Sequence, residues 1–111
     1  MRRVFIFREG TMMGAMVGPD LQIGIGGFGP TIRDALRDLA DQFDEHHYHL
    51  NENAVMVEAA GNIVSARGAT PGDAIRKLAW IVAECKYTEN DFAELDWNRI
   101  AAEPPVYPRY R

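Results

Sequence analysis

The chain has 111 residues, of which 47% are hydrophobic, and 12 Lys+Arg against 16 Asp+Glu leave a formal net charge of −4. That length predicts one domain able to bury a core without metals or disulfides, and its single cysteine, Cys85, excludes an intramolecular disulfide and suits a reducing compartment. The acidic balance disfavours a general nucleic-acid binder, no apolar run nears the ~20 residues of a membrane span, and the short apolar stretch after Arg2-Arg3, broken by Arg8 and Glu9, is not a signal peptide, so a cytoplasmic protein is expected.

In chain order, Arg3–Arg8 reads as a strand, with Val4 and Ile6 on one face and Phe5 and Phe7 on the other. Two further strands, Met12–Val17 and Leu21–Gly26, flank the turn-forming triplet Gly18-Pro19-Asp20. A helix is expected from about Thr31 to His46, because Ile32, Ala35, Leu36, Leu39, Ala40 and Phe43 form one apolar stripe. Asn53–Ala59 then alternates around Val55 and Val57, and Ile63–Arg67 follows Gly61-Asn62, a two-residue hairpin signal. The second helix is expected from about Thr70 to Lys86, with Ala74, Ile75, Leu78, Ile81, Val82 and Cys85 as its main stripe. Past Lys86 the pattern loosens. Thr88 with Asp91 predicts a capped turn, and 96–102 a second short helix. Pro104-Pro105 stops any helix and leaves an extended tail over 104–111.

The two helix starts repeat each other. Thr31, Asp34, Ala35, Arg37, Leu39 and Ala40 recur 39 residues later as Thr70, Asp73, Ala74, Arg76, Leu78 and Ala79. Each Thr is placed to cap its helix, each Asp stands three residues on, and Pro71 occupies a first helical position where its missing N–H costs nothing. The expected fold is therefore α+β. It has a largely antiparallel sheet built from two ββα repeats, residues about 12–46 and 53–86, with both main helices on one face. A short helical extension over 88–103 completes a single domain of residues 1–103.

A hairpin followed by Gly-x-Thr-x-x-acid-Ala-Leu/Ile-Arg/Lys-x-Leu at a helix start resembles the N-terminal domain of HicB-like antitoxins. The matching segments run from Val17-Gly18-Pro19-Asp20-Leu21 through Gly29-Pro30-Thr31 to Leu39, and from Val55 through Gly68-Ala69-Thr70 to Leu78. Together they span around half of the chain. In that family the domain binds and blocks a small ribonuclease toxin, and a separate C-terminal domain binds DNA. The resemblance implies a fold and a protein-binding role. Two copies are present here, with no room for the DNA-binding domain, so operator binding is not expected.

Candidate chemistry is sparse. Gly24-Ile25-Gly26-Gly27-Phe28-Gly29 matches G-x-G-x-x-G, but a hairpin follows instead of a parallel βαβ unit, and Pro30-Thr31 start the helix after the last glycine. The plainer reading is a strand end where backbones pass closely. Asp44-Glu45-His46-His47-Tyr48-His49 gathers metal-capable side chains, yet no second cluster completes a site, and histidines suit a helix C-terminus without a metal. Cys85 falls on the core stripe, and Ser65, the single serine, has no nucleophile elbow. No enzyme activity and no cofactor are expected.

Two surfaces read as partner-binding. Asp34, Asp38, Asp41 and Glu45 line one helical ridge opposite the core stripe, able to offer carboxylates to a basic partner. Trp80, Ala83 and Tyr87 make the second helix apolar on another side, to be covered by the extension (Phe92, Leu95, Trp97, Ile100) or by another chain. Tyr107 and Arg109 in the tail suit an interface, and Pro104-Pro105-Val106-Tyr107 has the PPxY form read by WW domains. The expected function is a non-catalytic inhibitor that occludes a partner's active or nucleic-acid-binding surface. That partner would be a ribonuclease toxin or, for a phage-encoded anti-defence (anti-CRISPR-like) protein, a nucleic-acid-guided defence complex. The alternatives are a small-ligand or metal module using Gly24–Gly29 or His46–His49, or a self-associating structural subunit, a homodimer.

Overall fold

The N-terminal segment ties together two halves of the molecule. The computed structural model describes residues 1–18 and 24–103. Its elements are β1 (Arg2–Arg3), β2 (Phe5–Glu9), β3 (Met12–Val17), β4 (Ile25–Gly29), α1 (Ile32–His46), β5 (Ala54–Ala59), β6 (Asn62–Arg67), α2 (Pro71–Glu84) and α3 (Trp97–Ala101). Single 3-10 turns lie at Asn51–Asn53 and Glu89–Asp91. The architecture is α+β, with two three-stranded sheets in the orders β1-β5-β6 and β2-β3-β4. Every pairing is antiparallel except β1 with β5. The one expected N-terminal strand is thus divided at Val4, whose amide donates to Met56 O at 2.8 Å. Residues before Val4 pair with the second repeat and those after it with the first. Since β3 runs against β2 while β5 runs with β1, the repeats point in opposite directions.

Local chemistry explains the elements. Thr31 and Thr70 cap α1 and α2 by accepting from the amides of Asp34 and Asp73, each at 3.1 Å. Register puts the β5–β6 loop at Ala60-Gly61, one residue earlier than the sequence suggested, with φ of 51° and 79°. Both values are positive, as the turn twist favoured in two-residue hairpins requires. Strand β4 runs Ile25–Gly29, so Gly26, Gly27 and Gly29 lie inside it, and the Leu21–Ile23 part of the expected strand lies outside the described residues. A Cβ on Gly27 would strike the backbone N of Leu39 and lie 2.5 Å from Ala35 O. A Cβ on Gly29 would lie 2.5 Å from Asp34 Cβ, and one on its counterpart Gly68 would lie 2.8 Å from Asp73 Cβ. The glycine-rich stretch is therefore a packing surface, where a helix lies directly on strand backbone.

Helix α1 packs on β3 and β4, α2 packs on β5 and β6, and the helices pack on each other. Phe43, Leu36, Leu39, Ile75, Leu78 and Val82 are fully buried between them and Val17, Val55 and Val57. Each such side chain contributes about 1.5–3 kcal/mol by leaving water. Helix α2 ends at Glu84, and Cys85, expected on its core stripe, is an exposed C-cap residue. The helix stops before its stripe reaches that position.

The extension crosses to the other side of the sheets, along Arg3, Phe5 and Glu58. The Thr88/Asp91 capping box forms, and Ala60 N donates to Asp91 O at 2.6 Å. Asp96 caps α3, whose Ile100 is 0% exposed. Glu58 receives Arg3 at 2.9 Å and Arg99 at 3.8 Å.

Candidate functional site

The two helices run antiparallel. Arg76, near the start of α2, bonds Asp41 at 2.7 Å and Asp44 at 2.6 Å near the end of α1. At the opposite end, the start of α1 and the end of α2 leave a cleft of about 370 Å³. Met13, Ile32, Val82, Ala83 and Tyr87 supply its apolar wall, and Arg8, Thr31 and Glu89 its polar rim. Trp80 and Ala83 stand at i and i+3 on α2, and Tyr87 follows the helix, beyond Lys86 at φ 57°; Ala83 and Tyr87 line the cleft, and Trp80 stands three residues before Ala83. Trp80 is 59% exposed. Tyr87 is half-buried, its ring edge-on to Phe92 with centroids 6.3 Å apart. From the extension, Phe92 packs on Tyr87 and Thr88 and Glu89 line the cleft, while Trp97 is itself exposed.

Across the cleft, α1 presents Arg33, and Arg37 one turn on. Both are exposed and carry no partner among the described residues. Arg8, by contrast, is held by Glu89 in a two-pronged pair, with Nε donating to Oε2 at 2.6 Å and a second bond from NH2 to Oε1. Hydrogen bonding from Arg8 keeps the Glu89 carboxyl below its ordinary range, and the same bond raises the Arg8 guanidinium. A second cleft of about 410 Å³, lined by Phe7, Met13, Asn90, Phe92 and Ala93, lies on the far side of this pair.

The expected acidic ridge is largely engaged within the fold. Asp34 accepts from the Thr31 hydroxyl at 2.9 Å. Asp38 accepts from the backbone amide of Phe28 at 2.9 Å. Asp41 pairs with Arg76. Asp34 and Asp38 are half-buried towards β4 rather than standing opposite the core, and only Glu45 is exposed without a partner among the described residues. The sequence reading missed this because the ridge was measured against the stripe of α1 alone, and β4 rises beside it. Tyr107 and Arg109 lie outside the described residues.

His46 and His49 are exposed, and His47 is the C-cap of α1 at φ 54°. Tyr48 packs edge-on to Phe43 at 5.8 Å. Among the described residues no three His, Cys, Asp or Glu side chains come together in a way that could hold a metal. The Arg8–Glu89 pair and the cleft had no sequence signal, since their residues come from separate elements. No family model, no curated protein and no solved structure matches the chain.

Proposed function

We propose that this protein is a non-catalytic protein-binding module that inhibits by covering a partner's working surface, with the Trp80–Ala83–Tyr87 surface as its contact. The observation that carries the reading is Trp80, a large aromatic left 59% exposed on α2, three residues before Ala83 of the apolar cleft. Tryptophan, tyrosine and arginine are the residues that most often dominate binding energy at interfaces. Arg33 lines the cleft and Arg37 stands one turn further along α1, so the favoured partner segment carries an apolar side chain for the cleft and carboxylates for these guanidiniums. The residues shared with HicB-like antitoxins support an inhibitor role, and a ribonuclease toxin or a nucleic-acid-guided defence complex is the first partner class to test.

The test is capture of a stoichiometric partner by tagged protein, repeated with Trp80→Ala and Tyr87→Ala. Loss of either aromatic at a hot spot is expected to cost about 2 kcal/mol or more of binding, roughly thirtyfold in affinity. Trp80→Ala should leave unfolding within about 0.5 kcal/mol of the parent, because its ring is mostly in solvent. A partner retained equally by both variants would remove this surface from the interface.

A further inference from the structure

We infer that β6 is a dimerisation edge, and that its occupant is β6 of a second copy of this chain, paired antiparallel about Ser65. The inference begins with a difference between the repeats. Strands β4 and β6 are the outer strands of their sheets. At β4 the outward amide of Phe28 is taken by the Asp38 carboxylate, which blunts that edge against strand addition. Thirty-nine residues on, the corresponding positions are Arg67 and Lys77. A lysine has no acceptor to offer an amide. The β6 edge is accordingly left uncapped, and among the described residues no strand pairs with its outer side.

The ladder alternates, so the outward groups can be named. Ala59 and Asn62 close the two-residue turn as a hydrogen-bonded pair, which directs the N–H and C=O groups of Ile63, Ser65 and Arg67 away from β5. A two-fold axis at Ser65 places Ser65 opposite Ser65 of the other copy, and Ile63 opposite Arg67. Each of these pairs can exchange its backbone hydrogen bonds, and Val64 faces Ala66 on the helix side. Ile63, 65% exposed, then lies against the aliphatic stem of Arg67.

The helix above has the same symmetry. Gly68 sits against Asp73 and Ala74. Three strand residues back from Gly68 is about 10 Å, or roughly six to seven helical residues, so Ser65 lies beneath residues 80–81. Lys77 and Glu84 are equidistant from that point, seven residues apart on one ridge of α2, and both are exposed without a partner among the described residues. The two-fold axis therefore sets Lys77 of each copy against Glu84 of the other, with half-buried Ile81 between them. Two strand spacings, about 9.6 Å, match the 8–10 Å at which helices pack side by side. Strand pairing and helix packing are thus satisfied by one operation, as a closed two-fold dimer requires. Trp80 lies within one turn of both Lys77 and Glu84, so Ser65→Pro, which is on the strand rather than on the helix that carries Trp80, is the variant that reads the dimer separately from partner binding.

The experiment is a solution mass by sedimentation equilibrium over a range of protein and salt concentrations. The expected species has twice the 12.5 kDa chain mass. Ser65→Pro removes an outward amide while leaving the β5 ladder intact, and should give a monomer with unchanged circular dichroism. Lys77→Glu and Glu84→Lys should each weaken dimerisation about tenfold, and the double reversal should restore it. The reversal pair carries the test if Ser65→Pro fails to fold. A 12.5 kDa mass at every concentration, a dimer that survives folded Ser65→Pro, or a double reversal without rescue would each overturn the assignment.

Discussion

At Gly27, the space between strand and helix is smaller than one methyl group. An added Cβ strikes the backbone of α1 at Leu39, which cannot swing aside as a side-chain tip would. Gly27→Ala is expected to cost about 1–3 kcal/mol through displacement of α1, read as a lower urea midpoint at unchanged slope; an unchanged midpoint would show that α1 shifts freely. The Arg8–Glu89 pair makes a different prediction, because it is exposed. The Glu89 carboxyl is depressed below its ordinary value of 4.5 by the hydrogen bond from Arg8. A depressed folded value means stability that is present above 4.5 and lost as pH falls through the folded value. Glu89→Gln should therefore be slightly less stable than the parent at neutral pH, and the gap should close on acidification. A gap that is constant with pH would show that the pair contributes nothing electrostatic.

At the scale of elements, the two ββα repeats share caps, stripes and glycine contacts but treat their outer strands differently. Asp38 closes the edge of β4 from α1, and Lys77 leaves the edge of β6 open. Asp38→Ala strands a partly buried amide and is expected to cost about 1–3 kcal/mol by chemical denaturation. Asp38→Asn keeps an acceptor and should recover most of that. Equal losses for both would mean that the carboxylate acts by charge alone. The repeat was legible from the sequence because caps and apolar stripes are local, set by spacings of three and four residues. Its strand boundaries were less legible. Gly27 and Gly29 lie beyond the strand end expected at Gly26, yet tertiary packing against α1 holds them in a strand.

At the scale of the molecule, the extension and the N-terminal strand hold the two repeats together. Ile100 of α3 is wholly buried on the far side of the sheets from the main core. Ile100→Ala is expected to destabilise the whole domain by about 2–5 kcal/mol, in a single cooperative transition. A separate early transition confined to the extension would instead mark it as an independently folding flap. Where the extension docks was not readable from its residues. Phe92, Leu95, Trp97 and Ile100 could equally have covered Trp80, and the choice fell to the sheet face, where Glu58 receives both Arg3 and Arg99, leaving Trp80 exposed. The sequence by itself determined the α+β class, the duplicated unit, and both helices with their caps. All of these follow from periodicities within about four residues along the chain. Only the tertiary structure decided that Val4 hands one strand to two sheets, that Asp34, Asp38 and Asp41 are bonded internally, and that a cleft opens between α1 and α2. Those depend on which distant segments come to lie side by side, and a carboxylate's partner is fixed by that neighbour rather than by its place on its own helix.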